Sequence, residues 1–191
     1  MLSNNFKKIG EDIYVYKNFL TKNECDELVS LAESFVEKDW SPANKENDSW
    51  HEYSPYIDNL DFIKERLEKS ISNDLKVNPA ASIIRMKTGW SWGEHSDNHE
   101  YLNILEKAKL LKENEPYKIE RNSIYGIVLY LNSFKGGQIY YANQNIEYAP
   151  EPGDLVLHST LEHCKHGVKE VESKIRYSFS LNIYQDIRVP A

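Results

Sequence analysis

The chain is poor in cysteine and in long apolar runs, and each shortage excludes a class of protein. Its 191 residues contain only two cysteines, Cys25 and Cys164, which are too few for a disulfide framework. We therefore expect a reducing compartment, the cytoplasm. No segment approaches the roughly 18 consecutive apolar residues of a membrane span, and the N-terminus lacks the apolar core of a signal peptide. The sequence thus predicts a protein without a membrane partner.

An excess of basic residues is also missing. Lys and Arg number 23 against 30 Asp and Glu, which gives a net charge of -7 at pH 7. Proteins that bind nucleic acid through its phosphates need clustered positive charge, so no nucleic-acid partner is expected. Hydrophobic residues make up 40% of the chain, and this length suits one domain with a sizeable core. We expect a single domain over residues 1–191.

A helix is predicted near the N-terminus. Thr21 is followed three residues later by Glu24, which is the pattern of a capping box. The helix that begins there, over about 22–38, has one apolar stripe. The stripe contains Cys25, Leu28, Leu31, Ala32 and Phe35. Because Cys25 belongs to it, that thiol is interpreted as a small buried hydrophobe.

A second helix is predicted over about 59–74, after a long aromatic loop at 39–57. Its apolar face consists of Leu60, Ile63, Leu67 and Ile71. Short strands and turns then follow almost to the C-terminus, at 81–87, 91–97, 124–132, 138–142, 145–148, 154–158, 166–171 and 175–185. A charged segment at 99–118 interrupts them and is interpreted as a helical insertion.

This order of elements predicts an α+β protein. About eight short strands after two helices are typical of a double-stranded β-helix, or jelly roll, with the N-terminal helices packed on one sheet. The helical part is expected to cover about 1–78 and the jelly-roll core about 79–186.

The chemistry is concentrated in His95-Ser96-Asp97 and in His166. Residues i and i+2 of a strand point to the same face, so His95 and Asp97 can bind one metal ion together. An imidazole from elsewhere in the chain would complete two histidines and one carboxylate. This set leaves coordination positions open and is typical of non-haem Fe(II) oxygenases.

Three histidines compete for the second imidazole position. His166 opens a predicted strand, which favours it, and it lies ten residues before Arg176. His163 lies in a predicted loop and remains the alternative, whereas His158 ends a strand. His163-Cys164-x-His166 also admits a zinc site, although a second Cys or His pair at the usual spacing is missing.

The last strand alternates in polarity. Arg176, Ser178, Ser180, Asn182 and Tyr184 share one face, and Tyr177, Phe179, Leu181 and Ile183 share the other. A buried Arg without a partner costs several kcal/mol, so a polar face turned inward indicates an anionic ligand. The alternative is a solvated face, which antiparallel sheets often have.

These motifs together resemble the 2-oxoglutarate/Fe(II)-dependent dioxygenases, in particular the prolyl 4-hydroxylase-like branch. The likeness covers nearly the whole chain. It rests on Asn18-Phe19-Leu20-Thr21 with Glu24-Cys25-Asp26-Glu27-Leu28, on Tyr130-Leu131-Asn132 with Gly136-Gly137, on Gly153-Asp154-Leu155-Val156, and on Arg176-x-Ser178.

The resemblance implies a role for each matching residue. His95, Asp97 and His166 would bind Fe(II). Arg176 would pair with the distal carboxylate of 2-oxoglutarate, to which Ser178 and Tyr130 would donate hydrogen bonds. O2 is the other co-substrate, and ascorbate is a candidate reductant. Trp92, three residues before His95, is expected to stand near the iron.

One departure from the family pattern bears on the co-substrate. Many members have Arg-Tyr where this chain has Arg85-Met86, so one tyrosine that would contact 2-oxoglutarate is absent. Tyr130 and Trp92 are the candidates to replace it. Trp50, Tyr53, Trp90 and Trp92 could also form an aromatic substrate groove.

The function expected from this resemblance is hydroxylation of a prolyl residue in a peptide or protein, with release of succinate and CO2. Two alternatives stay open. One is a hydroxylase of a free amino acid or other small metabolite. The other is a catalytically silent jelly roll that binds a partner.

Overall fold

The computed structural model describes residues 2–42, 50–57, 60–72, 75–77, 81–97, 101–112 and 115–191. Its helices are α1 (Lys22–Ser34), α2 (Asp61–Glu68) and α3 (Tyr101–Lys109). The strands are β1 (Lys7–Gly10), β2 (Ile13–Tyr16), β3 (Ser41–Pro42), β4 (Glu52–Tyr53), β5 (Leu75–Val77), β6 (Ile83–Met86), β7 (Trp92–His95), β8 (Tyr117–Tyr130), β9 (Lys135–Gly136), β10 (Ile139–Tyr141), β11 (Ile146–Tyr148), β12 (Leu155–Ser159), β13 (His166–Val168), β14 (Val171–Ser173) and β15 (Arg176–Pro190).

The predicted capping box is present at the start of α1. The Thr21 hydroxyl accepts a hydrogen bond from the Glu24 N–H, and the Glu24 carboxylate accepts one from the Thr21 N–H at 2.7 Å. Glu24 also forms an ion pair with Arg66 of α2, with 2.6 Å between nitrogen and oxygen. One carboxylate therefore satisfies the helix end and links the two helices.

The apolar stripes of both helices face the core, with one correction. Cys25, Leu28 and Ala32 are buried, as are all four residues of the second stripe, but Leu31 is 37% exposed. Helix α1 is also shorter than predicted, because Phe35 adopts an extended backbone and ends it. Helix α2 spans 61–68, and residues 59, 73 and 74 of its predicted range lie outside the described residues.

The strands form two main antiparallel sheets. The larger has the order β1-β2-β12-β8-β15-β6-β4-β3, with β5 also paired to β15, and the smaller has the order β11-β10-β13-β7. A further pair joins β9 and β14. The mainly helical N-terminal part thus also contributes β1 to β5 to the larger sheet. Residues 43–49 of the predicted aromatic loop lie outside the described residues.

Each of the eight predicted strands is found, and the chain passes repeatedly between the sheets. Strands β6, β8, β12 and β15 belong to the larger sheet, whereas β7, β10, β11 and β13 belong to the smaller one. Apolar residues of β2, β8 and β12 pack against β10, with Val156, Ile139 and Tyr141 fully buried. The two sheets therefore face each other across a common interior.

Strand β15 is the centre of the larger sheet, since it pairs with β5, β6 and β8. Its apolar face, which includes Tyr177 and Phe179, joins the core formed with α1 and α2. Its polar face points between the sheets, where Arg176 and Ser178 are 2% and 1% exposed. The solvated-face alternative is therefore wrong for this end of the strand.

Strands β8 and β15 run further than predicted. Their pairing continues from Ser178 and Tyr130 to Pro190 and Tyr117, which makes a two-stranded ribbon beyond the sheet. The insertion helix α3 packs on this ribbon through Ile104, which contacts Ile187 and Val189. The predicted helical insertion extends to residue 118, but residues 117 and 118 already belong to β8. Residues 99, 100, 113 and 114 of the predicted insertion lie outside the described residues.

A buried arginine attaches β4 to β6. The Arg85 guanidinium lies over the Trp40 ring at 4.2 Å and forms ion pairs with Glu52 and with Glu37, the latter at 2.7 Å. The Arg85 side chain is 8% exposed and that of Glu52 is 14% exposed.

None of the helices in the described part of the chain is long and apolar enough to span a bilayer.

Replacing Arg85 should destabilise the fold, because its loss leaves the mostly buried Glu52 with only the longer ion pair to Lys87, at 3.3 Å. We expect Arg85→Met to lower the free energy of unfolding by about 3 kcal/mol, measured by urea denaturation. The control is Lys135→Met, which removes an exposed ion pair with Glu172 and should leave stability near that of the wild type. Equal effects of the two substitutions would contradict this account.

Candidate active site

The three predicted metal ligands converge at one end of the smaller sheet. His95, the last residue of β7, lies directly opposite His166, the first residue of β13. Asp97 follows two residues after His95. One donor atom from each of the three residues lies within 4.8 Å of the others. Among the described residues this is the single group of three or more potential metal ligands.

Backbone carbonyls orient both imidazoles. His95 Nδ1 lies 3.0 Å from the Gly93 carbonyl oxygen, and His166 Nδ1 lies 3.1 Å from that of Cys164. A carbonyl can only accept, so each Nδ1 carries the hydrogen and each Nε2 keeps a free lone pair. The two Nε2 atoms lie 3.7 and 3.9 Å from Asp97 Oδ1. Both rings are therefore arranged as neutral ligands.

The ionisation states of His166 and Asp97 favour the binding of a metal cation. Burial lowers the pKa of His166 to about 3, and the nearby His158 acts in the same direction. Burial by itself would raise the pKa of Asp97, but the hydrogen bond from His158 and the surrounding imidazoles hold it below its ordinary value. Near neutral pH the site thus offers an uncharged imidazole and an ionised carboxylate, which are the ligating forms.

The competing histidines are placed elsewhere. His163 Nε2 lies 3.0 Å from Asp12 Oδ2, away from the group of ligands. The Cys164 thiol contacts the carbonyl oxygen of Glu11 at 3.3 Å. In the part of the chain that the structure describes, these two residues do not join His166 in a zinc cluster. His158 lies behind Asp97 and donates to its Oδ2 atom at 3.1 Å.

Arg176 and Tyr130 are buried polar side chains that each have an atom without a hydrogen-bond partner among the described residues. Arg176 Nη1 donates to Ser178 Oγ at 3.0 Å, while its Nε atom has no hydrogen-bond partner among the described residues. The guanidinium lies 5.0 Å from the Tyr130 ring centre. The Tyr130 hydroxyl also has no partner of acceptable geometry within the described ranges. Burial lowers the pKa of Arg176 and raises that of Tyr130.

Met86 occupies the position of the missing family tyrosine. It is fully buried, and its Sδ atom lies 3.6 Å from Arg176 Nη1. The thioether is a weak acceptor and donates nothing. Tyr130 supplies a phenol beside Arg176, and its part in binding a co-substrate stays a prediction.

Trp92 stands beside His95, one of the predicted ligands. Its ring stacks on His95 with 4.7 Å between ring centres, and His51 stacks on its other side at 3.6 Å. His51 Nε2 lies 2.9 Å from the Tyr53 hydroxyl. The stack therefore connects the loop before β4 to His95, a predicted metal ligand. Sequence reasoning did not single out His51, although the aromatic richness of its segment was the available signal.

One cavity of about 290 Å³ joins these groups. Its walls include the three ligands, Arg176 and Ser178, together with Trp92 and Tyr53. Among the described residues, no carboxylate forms an ion pair with Arg176. A buried arginine costs several kcal/mol unless an anion compensates it. The donor set at one side and the unpaired cation at the other fit a metal ion with an anionic co-substrate.

The comparisons with known proteins agree with this geometry. The sequence matches no protein-family profile and no curated protein significantly. Solved structures, however, are similar over most of the chain. The viral collagen prolyl hydroxylase of Paramecium bursaria Chlorella virus-1, in its 2OG complex, is 13% identical with a TM-score of 0.63, over 92% of this chain and 97% of that chain.

Two further prolyl hydroxylases align equally well. A Pseudomonas putida prolyl-4-hydroxylase is 15% identical with a TM-score of 0.64, over 91% and 92% of the two chains. The Trichoplax adhaerens enzyme, in complex with a hypoxia inducible factor peptide fragment, is 15% identical with a TM-score of 0.61, over 91% and 84%. The chain thus shares the fold of the prolyl 4-hydroxylase-like 2-oxoglutarate/Fe(II) dioxygenases, which confirms the predicted resemblance at the level of the fold.

The buried His51 should make stability depend on pH. Burial, with His95 and Arg176 acting in the same direction, lowers its pKa to about 4 from the ordinary 6.5. Between these values the unfolded chain binds the proton and the folded protein does not, so stability falls as pH decreases from 6.5 to 4. The shift corresponds to roughly 3 kcal/mol.

We expect the wild type to lose about that much more unfolding free energy than His51→Gln between pH 7 and pH 4. Urea denaturation of both proteins at a series of pH values measures the difference. Parallel curves would show that His51 is not buried in its neutral form.

Proposed function

We propose that the protein is an Fe(II)- and 2-oxoglutarate-dependent dioxygenase that hydroxylates a prolyl residue in a peptide or protein and releases succinate and CO2. The observation that carries this proposal is the pairing, in one cavity, of a two-histidine, one-carboxylate group with a fully buried, unpaired Arg176. A metal site alone would not require the arginine, and an anion site alone would not require the three ligands.

Each residue of the cavity would have a distinct role. His95, Asp97 and His166 would hold Fe(II), which with 2-oxoglutarate and O2 supplies the oxidising power to hydroxylate an unactivated C–H bond. Arg176 would bind the distal carboxylate of 2-oxoglutarate, with Ser178 and Tyr130 as hydroxyl donors. Trp92 would hold the His95 ring in place.

The order of the strands supports the finer description of the fold. The core strands of the larger sheet run β12-β8-β15-β6 and the smaller sheet runs β11-β10-β13-β7, so consecutive core strands alternate between the sheets except at the β10–β11 hairpin. We infer from this alternation a double-stranded β-helix of eight strands that forms a single domain over residues 1–191. The cytoplasmic location stays a prediction, consistent with the two free, buried cysteines.

An open groove beside the cavity supports an extended substrate. This groove has a volume of about 230 Å³ and shares Tyr53, Ser180 and Asn182 with the cavity. It is also lined by Tyr56, which is 60% exposed. Such a surface suits a peptide that lies across the entrance and inserts one side chain. The Trichoplax neighbour holds a peptide fragment, which favours the same substrate class here.

Arg176 should be essential for co-substrate binding. Its replacement by Ala leaves the distal carboxylate without its partner in a buried position. We expect a loss of about 2–5 kcal/mol, which raises the Kd of 2-oxoglutarate by roughly 30- to 5,000-fold. Anaerobic titration of the Fe(II) protein with 2-oxoglutarate, followed through its visible charge-transfer band, measures the effect.

The control for this titration is Arg121→Ala, which removes a half-exposed arginine paired with Asp186 and should leave the Kd unchanged. Asp97→Ala should abolish the band, since it removes a metal ligand. An unaltered Kd in Arg176→Ala would refute the assignment of the co-substrate site.

Proline-containing peptides should stimulate succinate release and gain the mass of one oxygen atom. Matched peptides with alanine in place of proline should do neither. Tyr56→Ala should raise the KM for the peptide without changing 2-oxoglutarate binding, whereas Tyr117→Ala, at an exposed tyrosine of β8, should change neither.

The outcome of this assay separates the alternatives. Turnover with free amino acids but not with peptides would favour the small-metabolite hydroxylase. A protein that binds metal and 2-oxoglutarate but never forms succinate would favour the silent binding module.

A further inference from the structure

A chain of buried hydrogen bonds lies behind the metal ligands and has no part in the roles assigned above. The Tyr141 hydroxyl lies 2.8 Å from His158 Nδ1, and His158 Nε2 lies 3.1 Å from Asp97 Oδ2. Tyr141 and His158 are 0% and 1% exposed. They come from β10 and β12, so the chain crosses from one sheet to the other.

The direction of these hydrogen bonds follows from the acceptor at the end. An ionised carboxylate can only accept, so the hydrogen must lie on His158 Nε2. In the neutral ring Nδ1 then has a lone pair, and the Tyr141 hydroxyl donates to it. Tyr141 thus selects the tautomer of His158 that can bond to Asp97. This is the arrangement by which residues behind a metal ligand orient it.

The two oxygens of Asp97 face different groups. Oδ1 lies 3.7 Å from His95 Nε2 and 3.9 Å from His166 Nε2, while Oδ2 faces His158. The strand pairing that fixes the backbone of β7 ends at His95, so it does not extend to Asp97. The position of the Asp97 carboxylate therefore depends on side-chain contacts.

Gly126 of β8 makes this arrangement sterically possible. It lies opposite His158 in the β8–β12 pairing. A Cβ atom at this position would be 2.3 Å from Asp97 Oδ2 and 2.7 Å from His158 Nε2. Neither distance is compatible with van der Waals contact, so any side chain would displace the hydrogen bond. A glycine at position 126 is thus needed for the hydrogen bond between His158 and Asp97.

We propose that His158, oriented by Tyr141, is a positioning residue that holds Asp97 Oδ2 and leaves only Oδ1 for the metal. Single-oxygen binding by Asp97 keeps three octahedral positions open, which a co-substrate that binds through two atoms and O2 together require. If both carboxylate oxygens bound the metal, one of those positions would be lost. This inference rests on the proposed function, because it takes the metal to be the iron of a dioxygenase.

The test uses three variants of the full chain. His158→Phe removes the donor and keeps a buried ring. His158→Gln restores an N–H near the position of Nε2, and Tyr141→Phe deletes one oxygen atom. The matched control is His163→Phe, which removes a histidine–carboxylate hydrogen bond outside the cavity, that with Asp12. Co(II) is the probe, because its visible spectrum reports both affinity and coordination number without turnover.

We expect His158→Phe to weaken Co(II) binding by roughly 10- to 100-fold and to change the shape of the visible spectrum, because Asp97 becomes free to bind through both oxygens. His158→Gln should restore affinity and spectrum, Tyr141→Phe should lie between, and His163→Phe should match the wild type. The melting temperature of each metal-free protein shows whether it folds, and if His158→Phe does not, Tyr141→Phe carries the test.

Each other result has a defined meaning. Wild-type affinity and spectrum in both His158→Phe and Tyr141→Phe would overturn the inference while leaving the proposed function intact. Loss of binding as complete as in Asp97→Ala, without rescue by His158→Gln, would identify His158 as a fourth ligand and also overturn it. A wild-type protein that binds neither Co(II) nor Fe(II) would instead refute the proposed function.

Discussion

The pairing of β7 with β13 is the constraint on which the site depends. It sets His95 opposite His166, and a slip of one residue would turn every side chain of one strand to the other face. Gly167 limits such slips locally, since a Cβ there would lie 2.6 Å from the Tyr140 hydroxyl and 2.8 Å from the Trp92 carbonyl oxygen. Two predicted ligands far apart in sequence are thus fixed by the backbone hydrogen bonds between two strands.

Buried polar atoms between the two sheets lower the stability of the fold. Arg176, Tyr130 and His51 each bury a polar atom that lacks a partner among the described residues, and each such atom costs on the order of 1–3 kcal/mol. The compensating stabilisation comes from the other face of the larger sheet, where Phe179, Leu181 and Ile183 of β15 pack with the helices. One strand therefore separates an apolar layer that stabilises the fold from a polar layer that serves the site.

The sequence predicted what depends on local patterns and missed what depends on distant pairings. Alternation and turns located all eight core strands, the capping box located the start of α1, and the order of His95, Asp97, His166 and Arg176 located the cavity. The ribbon at 117–123 was missed because its alternating residues are mostly polar, and Leu31 was misplaced because helix periodicity does not reveal where a neighbouring layer ends. Whether His95, Asp97 and His166 bind iron is a prediction that geometry supports and a metal titration must decide.

Successive residues on the polar face of β15 lie at different depths in the cavity. Arg176 and Ser178 are almost fully buried, Ser180 is exposed, and Asn182 is partly exposed at the shared edge of the cavity and the groove. Every second residue advances about 7 Å along the same face, so position along this one strand sets whether a side chain lies deep in the cavity or at its entrance. Changes at Ser180 and Asn182 can therefore alter what enters without disturbing Arg176.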